Sequence, residues 1–181
     1  VLRSKVKLAD LGAERVLIGV AGPQAASLVA ALGAGTGAAM TTAALDGGTV
    51  VRIGEDRFVL AIAADRAGDI WTRLSAGATP AGLAAWRLTE IAAGQPRVVA
   101  ATQEAFVPQM VNYEIPAVGG VSFQKGCYPG QEIVARTQYL GKIKRRMYRA
   151  RLDAAFPAGT DVFTPEAGAQ HCGALVSVAP S

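Results

Sequence analysis

Thr49-Val50-Val51-Arg52-Ile53-Gly54-Glu55-Asp56-Arg57-Phe58-Val59-Leu60-Ala61-Ile62-Ala63 is the stretch on which the fold turns. Residues 49–53 and 57–63 are strand-forming runs, and Gly54-Glu55-Asp56 between them is turn chemistry, so the pair reads as a β-hairpin. Upstream, residues 1–8 and 15–20 are rich in Val, Leu and Ile and read as two strands parted by a turn at 10–12. Ala21-Gly22-Pro23 then opens a helix. Proline suits a first helical position, and Ala25, Leu28, Val29 and Leu32 share one face before Gly33 stops it. Downstream, Asp65 as N-cap starts a second helix that runs to about Ser75, with Ile70, Trp71 and Leu74 apolar. Strand, helix, strand, strand, helix predicts an α+β fold built on a ferredoxin-like split βαβ unit. Nothing alternates regularly enough for a repeated βα array.

Residues 80–95 read as a third helix ending at Gly94. An irregular stretch follows, carrying Pro96, Pro108, Pro116 and Gly119-Gly120. Long ordered loops inside a domain often carry function. Strand signals return at 148–152, 161–163 and 174–178, with turns at 157–159 and 166–168, and read as the start of a small all-β barrel module. The expected organisation is an α+β domain over 1–100, a loop-rich motif segment over 101–144 and a partial β module over 145–181.

With 51% hydrophobic and 18% charged residues the composition is globular. Much of the apolar count is Ala and Gly. The longest uncharged stretch, 25–45, is broken by Gly33, Gly35 and Gly37 and lacks the ~20 strongly apolar residues of a membrane-spanning helix. The opening residues do not read as a basic-then-apolar leader, so a cytoplasmic protein with no membrane contact is expected. Val1 in place of a methionine, and an end at Pro180-Ser181 just after a strand-like run, lead us to expect a piece of a longer chain. Cys127 and Cys172 are too few for a disulfide framework, and too few to hold zinc or an iron–sulfur cluster, which takes about four ligands. His171 beside Cys172 reads as part of a strand-edge pair, and no metal site is expected.

Charge is local. Residues 133–152 hold Arg136, Lys142, Lys144, Arg145, Arg146, Arg149 and Arg151 with no acidic side chain, which leaves eleven basic against fourteen acidic residues elsewhere. Immediately before this run lies Lys125-Gly126-Cys127-Tyr128-Pro129-Gly130-Gln131-Glu132. A thiolate is the reactive form of cysteine, and nearby cations or helix N-terminal N–H groups favour it. Lys125 is two residues from Cys127, Gly126 permits close backbone approach and Pro129-Gly130 forces a turn. Residues 131–136 then start a helix or a short strand. If it is a helix, its N-terminus points at the cysteine or at a bound anion. The alternative is a small buried cysteine in a glycine-rich turn.

The string KGCYPGQEIVAR closely resembles the hallmark of the YgfZ family, relatives of the aminomethyltransferase (T-protein) of the glycine cleavage system. The likeness extends to Phe106-Val107-Pro108-Gln109-Met110 with Asn112, to Gly119-Gly120-Val121-Ser122-Phe123, to residues 4–6 and 15–22, and to Trp86 with Gly94-Gln95-Pro96. It is thinner over 25–75. The resemblance implies a protein that binds tetrahydrofolate or a derivative and supports assembly or repair of iron–sulfur enzymes, which would be its partners. A link to tRNA modification would then run through such an enzyme rather than through direct tRNA contact. It implies Cys127 and Lys125 as the working residues. Trp86, Tyr128, Gln131, Glu132 and Arg136 are implied as the cofactor-binding set, with the Trp86 indole stacking on a pterin. Read by itself, Trp86 could equally be a half-buried helix anchor. The N-terminal portion that the family would add is not in this sequence, and Pro129 stands where Thr is also expected.

A second hypothesis is a folate-dependent aminomethyltransferase. That chemistry needs a carboxylate to orient or deprotonate the attacking amine, and Glu114 and Glu132 are available, but it needs no thiol. The cysteine motif therefore favours the first. The basic run has two readings of its own. It could meet a polyglutamate tail or RNA phosphates, or it could be an edge strand decorated with cations against aggregation, and the latter is preferred. Tyr139 and Tyr148 alone are thin for a base-stacking platform.

Overall fold

The structure, a computed structural model, describes residues 5–180. They form two compact units, one up to Ala81 and one from Gly82. The fold is α+β: helices combined with antiparallel sheet.

In the first unit, β1 (Arg15–Ala21), β2 (Thr41–Leu45), β3 (Gly48–Arg52) and β4 (Arg57–Ala63) make one sheet in the order β1-β4-β3-β2, every neighbour antiparallel. β1 and β3 therefore run parallel with β4 between them, and α1 (Ala25–Ala31) lies on the crossover. This is a split βαβ arrangement to which β2 adds an outer strand. Period-two alternation builds the core. Phe58, Leu60 and Ile62 of β4 have no exposed surface, and the register sets Leu60 between Ile18 and Val50. Ala25, Val29 and Leu32 at α1 and Ile70 and Leu74 of α2 (Ala67–Ser75) complete the same apolar cluster.

β2 is the strand that sequence reading missed, because Ala-rich TTAAL carries a weak strand signal. The clue was Asp46-Gly47, a two-residue hairpin turn, with Leu45 opposite Gly48 and Gly47 at φ +77°. Gly48 is required next to it, since a Cβ there would come 2.3 Å from the Ala61 carbonyl oxygen. The strand expected over 1–8 is corrected in part: residues 1–4 lie outside the described residues, and residues 5–8 carry no strand. Asp65 is not the cap of α2. Arg66 takes that place, without a side-chain hydrogen bond.

The second unit is built differently. Its helices are α3 (Leu83–Ala92) and α4 (Gln131–Tyr139), with single helical turns at Ala100–Thr102, Pro108–Val111 and Pro165–Ala167. The helix expected over 80–95 thus falls on the C-terminal side of the division between the units. The β structure of this unit is a ribbon of β5 (Asp161–Val162) and β6 (Gly173–Ala174), prolonged by the hydrogen bonds between Leu175 and Thr160 and between Gly159 and Leu175. Cys172 belongs to it, its backbone N–H and its thiol both directed at the Val162 carbonyl. No strand forms over 148–152. That segment follows an anchor made by side chains rather than a backbone ladder, as described next.

Candidate functional site

Residues 131–136, which the sequence left open between helix and strand, are helical. Gly130 at φ +82° turns the chain into α4, and the Gln131 side-chain oxygen reaches back to accept from the Tyr128 N–H at 3.1 Å. The Lys125 ammonium lies 5.2 Å from the centre of the Tyr128 ring, a cation–π distance. Phe123 meets Tyr139 at the far end of α4 edge-on, with ring centres 6.1 Å apart. The loop before α4 is therefore braced at Phe123, Lys125 and Tyr128. Cys127 sits in this braced loop as an exposed free thiol, so the buried-cysteine alternative does not hold. Glu132, in the first turn of α4, is exposed, and so is Arg136.

Beneath α4 lies a polar frame. Gln109 is fully buried, and its amide nitrogen donates to the Val134 carbonyl at 2.8 Å. Asn112, in the left-handed region at φ 62°, donates to the Met147 carbonyl at 2.9 Å. Arg146 donates to the Asn112 side-chain oxygen at 3.3 Å and forms an ion pair with Glu114, whose side chain is only 8% exposed. Sequence reading had singled out Gln109 and Asn112 for their resemblance alone. Their physical task is to tie the 106–114 segment both to α4 and to the basic run. Glu114, one of the two carboxylates available to a transferase, is committed to this ion pair.

Trp86 stands in a different environment. Its indole N–H donates to Glu90 at 3.1 Å, one turn along α3, and Glu90 also pairs with Arg97 through two hydrogen bonds of 2.6 and 3.2 Å. Those hydrogen bonds first, and the Glu90 charge second, raise the Arg97 pKa above its ordinary value. Glu90, Gln95, Pro96, Arg97, Tyr113, Val118 and Gly120 line an open cavity of about 410 Å³. The Tyr113 ring packs directly on Gly120, where a Cβ would come 2.3 Å from the ring, and its hydroxyl donates to the Pro96 carbonyl at 3.1 Å. Glu90, Arg97 and Tyr113 were missed as site residues. The i, i+4 spacing of Trp86 and Glu90 was the available signal.

The structure thus gathers Lys125, Cys127, Tyr128 and Gln131 into one turn, places Glu132 and Arg136 on the helix that follows, and sets Trp86 beside a cavity on α3. From Gly120 on the cavity wall the chain reaches Cys127 in seven residues, which bend at 123–125 and can span at most ~25 Å. Among the described residues, no helix is long and apolar enough to cross a membrane.

No family model matches the chain. Curated proteins do. It is 40% identical over 136 residues to a "tRNA-modifying protein YgfZ" of Vibrio vulnificus strain YJ016, covering 75% of this chain and 40% of that protein. It is 36% identical over 157 residues to the same-named protein of Photobacterium profundum, covering 84% and 46%. With that of Klebsiella pneumoniae it shares 36% over 168 residues, covering 91% and 48%. The chain spans less than half the length of these curated relatives.

Proposed function

The chain belongs to the YgfZ family, and from that premise we propose that it is part of a cytoplasmic, tetrahydrofolate-binding accessory protein for the assembly or repair of iron–sulfur enzymes, with Cys127 as its working thiol. The observation that carries this reading is the cavity on α3. Its volume lies in the range of small-molecule sites. Its lining combines Tyr113 packed on Gly120, Pro96 and Val118 with the polar Glu90, Gln95 and Arg97. A pterin is a flat heteroaromatic ring with a polar edge, and the rest of a folate ends in carboxylates. The residues present fit such a group: Tyr113 would supply a face for stacking, Arg97 a cation fixed by Glu90, and Trp86, bonded to Glu90, a second aromatic next to the lining. When bound, tetrahydrofolate supplies one-carbon or reducing chemistry.

The protein's own part is separate from the ring. The braced loop presents Cys127 to solvent, where a client protein can reach it, between Lys125 and the start of α4. A relation to tRNA modification, which the relatives' name states of them, would pass through an iron–sulfur enzyme that modifies tRNA.

Calorimetric titration of tetrahydrofolate into the full chain tests the cavity. Glu90→Ala removes the hydrogen bonds that Trp86 and Arg97 make to this carboxylate and is expected to weaken binding about 10-fold, the equivalent of ~1.4 kcal/mol. Unchanged affinity in a folded Glu90→Ala protein would remove the cavity from the account.

A further inference from the structure

We propose that the basic segment 142–151 is a docking strip for the oligo-γ-glutamate tail of the ligand held in the cavity, an inference that rests on the folate reading above. Of its six cations only Arg146 is committed. Lys142, Lys144, Arg145, Arg149 and Arg151 are exposed, and among the described residues none of the five has an ion-pair partner. The segment has no strand structure, so these charges do not guard a sheet edge against aggregation. Five unpaired cations in a ten-residue segment that contains no acidic residue repel one another, and a multiply charged anion relieves that.

The place of the strip is fixed by its anchor. Arg146 bonds Asn112 and Glu114, and the Met147 carbonyl accepts from Asn112. The residue between those two partners is Tyr113, whose ring lines the cavity. Lys144, Arg145 and Arg149 therefore extend to either side of a point fastened beside the cavity wall. Each γ-linked glutamate adds one carboxylate along a flexible backbone and no aromatic surface. That chemistry matches a strip rich in cations whose exposed aromatics are limited to Tyr148, with Tyr139 preceding it, too few for base stacking along a nucleic acid.

The test compares the monoglutamate and pentaglutamate forms of tetrahydrofolate by calorimetry on the full chain. At low salt the pentaglutamate is expected to bind about 10-fold tighter, as three or so exposed ion pairs would give, and the gain is expected to vanish near ~1 M salt. Lys144→Glu/Arg145→Glu/Arg149→Glu should bring the ratio of the two affinities close to one. The charge-conserving Lys144→Arg/Arg145→Lys/Arg149→Lys should keep it, which separates charge from folding. Equal affinity of the wild type for both forms overturns the proposal while leaving the folate reading intact. Failure of both forms to bind sinks the folate reading and the strip's assignment with it. Loss of tRNA binding on charge reversal, with no gain from the tail, would make the strip an RNA surface instead.

Discussion

The two halves of this molecule are held together by opposite means. Up to Ala81, thirteen buried apolar side chains form one cluster across a sheet and two helices. From Gly82 onward the buried hydrophobic side chains among the described residues reduce to Val111 and Val134, and polar pairs take over: Gln109 to Val134, Asn112 to Met147, Arg146 to Glu114 and Glu90 to Arg97. Apolar burial is non-directional and sums to a stable platform. Hydrogen bonds are directional and individually worth about 1 kcal/mol net, but costly to leave half-made. The second kind of frame therefore fixes positions rather than adding much stability.

One tryptophan lies in each half, Trp71 in α2 and Trp86 in α3, so the contrast can be read separately by fluorescence in Trp86→Phe and Trp71→Phe backgrounds. The largest effect is expected in the sheet. Leu60→Ala removes a fully buried side chain between Ile18 and Val50 and should cost about 3 kcal/mol in the urea transition reported by Trp71. In the second unit, Arg146→Ala leaves the Glu114 carboxylate buried and unpaired. A loss of about 2 kcal/mol, seen by Trp86 and not by Trp71, is expected. Gln109→Ala should follow at about 1 kcal/mol, since α4 loses a buried donor. The smallest effect has the opposite sign. Gly68→Ala in α2 meets nothing within 4 Å and should stabilise the first unit by about 0.5–1 kcal/mol. If Arg146→Ala moved the Trp71 transition as much as Leu60→Ala does, the separation of the two frames would fail.

The same contrast explains what could be read from sequence. The alternation of 57–63 and the i, i+3, i+4 face of 25–32 are periodic, and both elements appear where the periodicity places them. β2 escaped because alanine is nearly silent as a strand former, although Asp46-Gly47 marked its turn. The strand expected over 148–152 failed for a related reason. Alternating Tyr, Arg and Leu resembles an edge strand, but among the described residues no strand pairs with it, and the Arg146 anchor fixes the chain just before it. At the candidate site, a specific string of residues singled out Lys125, Cys127 and Gln131, which the structure brings close along one loop and helix start. The cavity was not legible, because Glu90, Arg97 and Tyr113 are brought together by aperiodic chain, the turn at Ala93-Gly94 and the irregular stretch that follows it. Gln109 and Asn112 were noticed, but their role depends on what lies across from them in space.

The central claim is that the braced loop exists to present a working thiol. The direct measurement is to return full-length protein, as wild type and as Cys127→Ala, to cells lacking the gene and to assay an iron–sulfur enzyme such as a radical methylthiotransferase at matched protein abundance. Cys127 is an exposed free thiol, so the substitution should leave the Trp86 unfolding transition within about 0.5 kcal/mol of wild type while enzyme activity falls to the level of cells without the gene. Full activity with Cys127→Ala would contradict the claim, and the cavity beside Trp86 would become the seat of function.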